Sequence, residues 1–537
     1  MLDRMRAGRA LRTGGAVLAA ALLLAPDRAT AQSAAEELAI EAEAAAPVVT
    51  APAVTAPAVT APRAFAVRRV IAGPSAYLPA DTVAEVARAL EARGLSSRDI
   101  PAILAAFDAL YDARDIALAQ TALVRTDPGS GTVEVAFVEA RVGRVVPQGD
   151  LARPEVYAAR IGLQPGDLAD TRVLEARLLR LALLSGIRSE VAFTPGARMG
   201  LTDVTVIFDE PPRRSAVITI DSHGSASTGR FRTSFAYSDL SLTGGLDAFA
   251  ASVTLAQGLV SGSLSYAMPL GAEGTALFAS LSGERSRNVS GPPVRGGNAL
   301  VEIGVSHPLL VEVDRQVTTR ASAFAFTDRR DTAGVPTTRQ SGGGVLLGAS
   351  FLREWPGATR AGLDLSLRHV RWRDGVAGLS GLSTTYLTAE ASLDTPLGDA
   401  AALTLRGGGQ AVSGAETPAQ FRGSLTTQSR VRGYPSGQLS GDAVVWASAQ
   451  VRAQQPVELG ANLRALPYAF VDAGRGWDRV GGVSTVQGTA VSVGVGASLG
   501  LGTRGSADIV LARPLRDLPG FDAGRAWRLD ASMSIRF

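Results

Sequence analysis

The chain has 537 residues, enough for two or more domains or for one large barrel behind smaller ones. It contains no cysteine, which excludes disulfides, thiol nucleophiles and cysteine–metal sites. All 53 basic residues are arginine, set against 50 acidic ones, and the two signs are interspersed without a basic block, so no nucleic-acid partner is indicated.

The first element is an export signal. Arg4, Arg6, Arg9 and Arg12 precede an apolar stretch from Ala16 to Ala25, and the small-x-small site Ala29-Thr30-Ala31 follows, so residues 1–31 read as a cleaved signal peptide. The apolar stretch is too short to cross a bilayer as a helix, and no later run is long enough. The mature protein is therefore expected to be exported, as a soluble protein or as a barrel.

Residues 32–62 are expected to be a helix and linker. Ser33 to Ala45 is rich in Ala and Glu, which favour helix. Ala51-Pro52-Ala53-Val54-Thr55 and Ala56-Pro57-Ala58-Val59-Thr60 repeat a pentapeptide whose prolines lack amide donors and hold the backbone extended, as in a semi-rigid spacer.

Two small repeats are predicted next, over 63–141 and 142–212. In the first, Phe65, Val67, Val70 and Ile71 suggest a strand, and Val83, Val86, Ala87 and Leu90 recur at helical spacing up to Gly94. Ser97 is the expected cap of a second helix, with Ile100, Ile103, Leu104, Phe107 and Leu110 on its buried stripe. Strands around 118–126 and 131–139 flank the turn Asp127-Pro128-Gly129. The order is β-α-α-β-β. In the second repeat the clearest helix carries Val173, Leu174, Leu178, Leu181 and Leu184, before strands around 188–194 and 202–208 joined across Pro195-Gly196.

Beyond Pro211-Pro212 helical periodicity disappears, and 213–537 is a succession of short alternating segments separated by Gly, Asp, Pro and Ser. Phe231, Thr233, Phe235 and Tyr237 alternate with polar or small residues. In the last segment Trp527, Leu529, Ala531, Met533, Ile535 and Phe537 share one face, and Arg528, Asp530, Ser532, Ser534 and Arg536 the other. A soluble sandwich would also alternate. The length of the unbroken array, its Ala, Val and Leu positions and its aromatic terminus favour a closed membrane barrel of about sixteen strands, since lipid offers no solvent to an open sheet edge.

Within this array the most specific local signal is Val431-Arg432-Gly433-Tyr434-Pro435-Ser436-Gly437, between two candidate strands. A later strand reads Tyr468-Ala469-Phe470-Val471-Asp472-Ala473-Gly474. An aspartate facing lipid would be costly, so Asp472 is expected in the lumen, where Arg432 can offer it a planar two-bond fork. Gly433 and Gly474 would let the two backbones approach closely. The bland alternative is an ion pair that only stabilises the barrel.

These residues resemble the two-partner secretion transporters, the TpsB class of the haemolysin secretion/activation proteins, related to the outer-membrane protein assembly factors. Val431 to Tyr434 match the family's V-R-G-[YF] loop motif, and Phe470, Asp472 and Gly474 match its aromatic-x-D-x-G strand motif. Thr194-Pro195-Gly196 with Gly200, the strand opening at Asp221, and Phe537 as barrel-assembly signal match as well. Asp221-Ser222-His223-Gly224 departs from the usual Asp-Asn, the hairpin Leu242 to Asp247 departs from the usual turn, and the N-terminal segment is acidic at Glu36, Glu37, Glu41 and Glu43. The resemblance implies a mainly β protein: two βααββ (POTRA) domains in the periplasm, a sixteen-stranded outer-membrane barrel, and a loop whose Arg432 pairs with Asp472 inside it. It further implies an unfolded secreted exoprotein as client, received on the small domains and threaded through the lumen, with outer-membrane lipid and the barrel-assembly machinery as other partners. For the client, the physical route would be strand addition to a free sheet edge near 118–126 or 187–194, where rigid spacers are the bland alternative.

Competing readings are an insertase for other barrels, a barrel-embedded lipase or protease, and a passive porin. No Ser/His/Asp or acidic constellation stands out for an enzyme. His223, His307 and His369 lack metal-ligand spacing, the glycines at Gly494, Gly496 and Gly500 do not make a dinucleotide motif, and there is no phosphate-binding loop, so no cofactor or metal is expected.

Overall fold

The computed structural model describes residues 64–149, 154–185, 187–198, 200–209, 213–271, 273–460, 462–522 and 527–537. The expected signal peptide, N-terminal helix and proline-rich linker lie outside them. The described chain divides into two units near residue 211.

The first unit contains two copies of one topology. In the first copy, β1 (Arg69–Ala72), α1 (Ala80–Glu91), α2 (Ile100–Asp112), β2 (Ala119–Asp127) and β3 (Thr132–Glu139) form a sheet of order β1-β3-β2, with β1 parallel to β3. The helices close that parallel crossover. They bury Val83, Ala87 and Leu90, and then Ile103, Phe107 and Tyr111, against Val133 and Val135. Ser96, not Ser97, caps the turn before α2: its hydroxyl accepts from the Arg98 amide, while Asp99 accepts from the Ser96 amide. Ser97 instead accepts from the Phe65 amide and ties β1's approach to the helix pair.

The second copy repeats the order with β4 (Arg141–Gln148), α3 (Pro154–Ile161), α4 (Thr171–Ser185), β5 (Arg188–Pro195) and β6 (Leu201–Asp209), in sheet order β4-β6-β5. Leu174, Leu178 and Leu181 of α4 are buried, whereas Val173 is 44% exposed and leaves the expected stripe. The Leu184 side chain lies outside the described residues. Both β2 and β5 are edge strands. On β2 a register shift between Leu123 and Arg125 leaves Val124 unpaired and 60% exposed.

Glu139, the last residue of β3, brackets the first copy. Its carboxylate accepts from the amides of Ala76 (2.8 Å) and Tyr77 (3.3 Å), from the Tyr111 hydroxyl (2.9 Å) and from the Ser75 hydroxyl. Burial pushes this carboxyl up, but those hydrogen bonds outweigh it and hold it below the usual carboxylate range. A depressed native value contributes stability above the unfolded pKa that is lost as pH falls through the native one. Glu139→Gln is therefore expected to lower protection of the α2 amides by the equivalent of about 1–3 kcal/mol at neutral pH, since an NH2 replaces an acceptor facing donors. Hydrogen exchange at neutral and acid pH checks this. Equal protection of the two proteins at neutral pH would refute the bracket.

The second unit is a closed antiparallel barrel of sixteen strands. They are β7 (Arg214–Asp221), β8 (Arg232–Asp239), β9 (Ala248–Ala256), β10 (Leu259–Leu270), β11 (Thr275–Arg287), β12 (Val294–Val311), β13 (Arg315–Thr332) and β14 (Val335–Trp355). There follow β15 (Thr359–Asp374), β16 (Leu379–Leu397), β17 (Ala401–Ser413), β18 (Ala443–Ala453, continued by Val457–Gly460), β19 (Leu463–Val480), β20 (Val483–Leu501), β21 (Gly505–Pro514) and β22 (Arg528–Arg536). β22 pairs with β7 from Ser532↔Asp221 to Arg536↔Val217, and the Phe537 amide donates to the Ala216 carbonyl, so the aromatic terminus completes the seam. Asp221 is the last residue of β7 rather than the opening of a strand, and Phe231 falls just before β8 rather than within it.

Alternation sorts the faces. Leu281, Val301, Ile303, Leu347, Leu365, Leu367, Val495 and Leu529 point outward and are exposed, while their neighbours Phe324, Leu346, Val370, Asp472 and Asp530 point inward and are buried. An exposed apolar belt of this extent is far beyond what a water-soluble monomer shows, and it is the surface that lipid covers.

Candidate functional site: an arginine–aspartate pair in the lumen

The connection from β17 to β18, residues 414–442, is the longest between consecutive described barrel strands. Strand alternation cannot hold it, so its own side chains must. It folds into the lumen and is fixed at three places.

The central fixing point is Arg432. Its Nε donates to Asp472 Oδ2 at 2.8 Å and its Nη2 to Oδ1 at 2.9 Å, while its own amide reaches Oδ2 at 3.1 Å. Nη1 donates to Gln450 Oε1 (2.7 Å) and Nη2 also to Ser448 Oγ (3.3 Å); Ser448 in turn donates to Asp472 Oδ1 at 2.7 Å. The guanidinium lies 3.5 Å from the Phe470 ring centroid. Asp472 is fully buried and the Arg432 side chain is 11% exposed. Desolvating two charges is expensive, and the pair is tolerated because both are hydrogen-bonded on nearly every available atom.

The residues beside Arg432 explain why the loop can reach that far. Val431 is buried with Leu425, Leu439 and Ala490, and the Tyr434 ring packs near Phe521. The Tyr434 hydroxyl is 2.9 Å from the carbonyl oxygens of both Val491 and Arg516. Gly433 has φ +86°, and a Cβ there would stand 2.9 Å from Ala512 Cβ. A Cβ on Gly474 would meet Leu425 at 3.0 Å and Val431 at 3.1 Å. Each glycine therefore clears space for the loop, one by conformation and one by size.

The second fixing point is Phe421, whose ring centroid lies 5.0 Å from Phe326, 5.7 Å from Phe324 and 5.9 Å from Tyr386, with the Arg368 guanidinium 4.7 Å above it. The third is a set of polar ties to the strands: Gln428 to Asp530 (3.0 Å), Arg430 to Glu390 (3.1 Å) and Arg422 to Asp478 (2.5 Å). Asp530, on the final strand, also accepts from Arg528 at 2.8 Å, so the loop touches the strand that closes the barrel.

The structure thus brings Val431, Arg432, Gly433 and Tyr434 together with Phe470, Asp472 and Gly474. It places Phe537 elsewhere, at the seam, 66% exposed. Sequence reasoning missed Ser448 and Gln450, although Trp446, Ser448, Gln450 and Arg452 share one face of β18 and the polar members could have been read as lumenal. It also missed the role of Gly494 and Gly496. A Cβ on Gly494 would come within 2.4 Å of the Phe470 ring, and one on Gly496 within 2.4 Å of the Tyr468 ring, so these glycines seat the aromatics that carry the guanidinium. His307 and His369 are bound to Thr275 and Thr385, each at 2.9 Å, and His223 lies beside Asp221.

No family model matches the chain, and no curated protein matches it. Among solved structures, CdiB from Escherichia coli is similar over 96% of this chain and 99% of its own, with a TM-score of 0.72 at 17% identity. CdiB from Acinetobacter baumannii is similar over 98% and 99%, with a TM-score of 0.63 at 14% identity. BamA from Haemophilus ducreyi lacking POTRA domains 1-3 is similar over 88% and 100%, with a TM-score of 0.53 at 13% identity. At such identities the likeness is one of fold.

Proposed function

We propose that this chain is an outer-membrane transporter of the two-partner secretion class, passing an unfolded exoprotein from the periplasm to the cell surface. In this reading residues 63–141 and 142–212 are periplasmic POTRA domains and 213–537 the pore. The observation that carries it is the Val431–Tyr434 loop folded into the lumen and bound to Asp472, in a sixteen-stranded barrel preceded by two βααββ domains. The loop occupies the space an extended chain would traverse. Arg432–Asp472 then holds a transport-competent loop in place or releases it when the client arrives. No phosphate-binding motif supplies energy, so folding and apolar burial outside the membrane would bias the motion outward.

The likeness to BamA supports a second reading, insertion of other barrels. Purified protein in proteoliposomes separates the two. Protease protection of an unfolded exoprotein added on the small-domain side is expected for a secretion pore, and accelerated folding of an unrelated barrel for an insertase. Neither activity would leave the proposal without support.

Client capture is expected at β2, whose edge presents unpaired backbone groups beside exposed Leu123 and Val124. Val124→Asp should weaken binding of the unfolded client to the purified chain about fivefold or more, on the order of 1 kcal/mol of lost apolar contact. Unchanged binding by fluorescence anisotropy would turn attention to β5, the other edge.

A further inference from the structure

The outward face of the barrel is not uniformly apolar. At the end where the 414–442 loop enters, Arg285 and Arg287 of β11, Arg295 of β12, Arg329 of β13, and Arg371 and Arg373 of β15 lie within four residues of the end of their strands. Each has the parity of the exposed apolar residues below it on the same strand or its neighbour: Leu281 for β11, Val301 and Ile303 for β12, Leu365 and Leu367 for β15. Register brings like charges face to face. Arg287 is the direct cross-strand partner of Arg295, and Arg329 of Arg339 on β14. Directly opposed side chains of one charge repel, with Cβ atoms about 5 Å apart.

Little on the protein compensates them. Asp331 is the one outward carboxylate among the described residues at these strand ends; it is ion-paired with Arg339 at 2.7 Å and is the direct cross-strand partner of Arg295, so a single carboxylate stands against the seven arginines named. Arg373 donates to the Ser341 hydroxyl at 3.1 Å, which leaves its charge in place. Other outward arginines have partners. Arg475 and Arg513 stack on Trp477 and Trp527, and at the opposite end Arg353 stacks on Trp355 while Arg315 pairs with Glu312 at 2.5 Å.

We infer that the β11–β15 arginines form a binding surface for the phosphorylated headgroups of lipid in one leaflet, with a diphosphorylated glycolipid such as lipid A as the occupant. The occupant has to be anionic at one end and apolar at the other, because the charged patch and the hydrocarbon-facing belt share the same strands. Planar guanidinium forks match phosphate oxygens two at a time, and clustered phosphates relieve the repulsion between opposed arginines. The inference needs a lipid-embedded barrel and does not depend on whether the barrel secretes or inserts its client.

The test uses the full chain in detergent, with native mass spectrometry reading retained diphosphoryl lipid A against dephosphorylated lipid A carrying the same acyl chains. The wild type is expected to retain the phosphorylated form at least tenfold better. The triple variant Arg287→Gln, Arg295→Gln, Arg329→Gln should lose that preference, and Arg315→Gln with Arg353→Gln at the opposite end should keep it. Heat-modifiable mobility on gels reports whether each variant is a folded barrel; should the triple variant not fold, the single variants Arg287→Gln and Arg329→Gln are each expected to lose at least threefold. Equal retention of the two lipids, a folded variant that binds as the wild type does, or complete displacement by millimolar inorganic phosphate would overturn the inference. A wild-type chain that never shows barrel mobility would instead count against the transporter reading.

Discussion

Asp472→Ala is expected to free the lumenal loop and to reduce export of the client by tenfold or more. The substitution leaves the Arg432 guanidinium in a desolvated site without its carboxylate, and breaking one side of a buried pair typically costs about 3–5 kcal/mol. That figure applies to the loop rather than to the barrel, because the strands on either side are held by their own ladders. Hydrogen exchange of residues 425–439 should therefore accelerate about a hundredfold or more, while amides of β19 and β20 change little. Arg432→Ala should act in the same direction. The double variant should be less perturbed than the sum, because no unpaired charge remains buried. Arg432→Lys separates a positioning role from a purely electrostatic one: it keeps the charge and loses the fork shared by Asp472, Gln450 and Ser448. If export and loop exchange are both untouched by Asp472→Ala, the pair has no part in transport.

The second large effect is expected on the barrel itself, from two adjacent residues of β11. Leu281 points outward and is exposed, and Leu281→Arg places a charge on the lipid-facing surface at the middle of its strand, a change that costs about 2–4 kcal/mol near the bilayer centre. Ser280 points into the lumen, opposite Glu302 on β12, so Ser280→Arg gains a carboxylate neighbour in a wet environment. Urea unfolding from lipid vesicles should show the first variant destabilised and the second close to wild type. The reverse order, or equal loss, would invert the assignment of the two faces.

The same contrast shows how much was legible beforehand. A period of two is a local property, so the apolar face of β22, from Trp527 to Phe537, could be read directly from the chain. So could helical stripes such as Ile103 and Phe107, since residues four apart in a helix share one face whatever lies across from them. The pairing of Arg432 with Asp472 was approachable because a carboxylate at a lumen-facing position needs a partner of opposite charge. Where the reading slipped, the deciding contact came from elsewhere in space. Ser97 looked like the cap of α2, but the Phe65 amide takes its hydroxyl and Ser96 does the capping.

The sequence by itself determined the kinds of element and their faces: two βααββ repeats, a long alternating array, and a loop with a charge to bury. Each follows from interactions between residues close along the chain. Only the tertiary structure decided which strands meet to close the barrel, that Ser448 and Gln450 complete the guanidinium's shell, that Gly494 and Gly496 seat the rings beneath it, and that arginines far apart along the chain gather on one outer rim. Those are matters of register between strands, and register is set by closure of the whole sheet, which no short window of residues encodes.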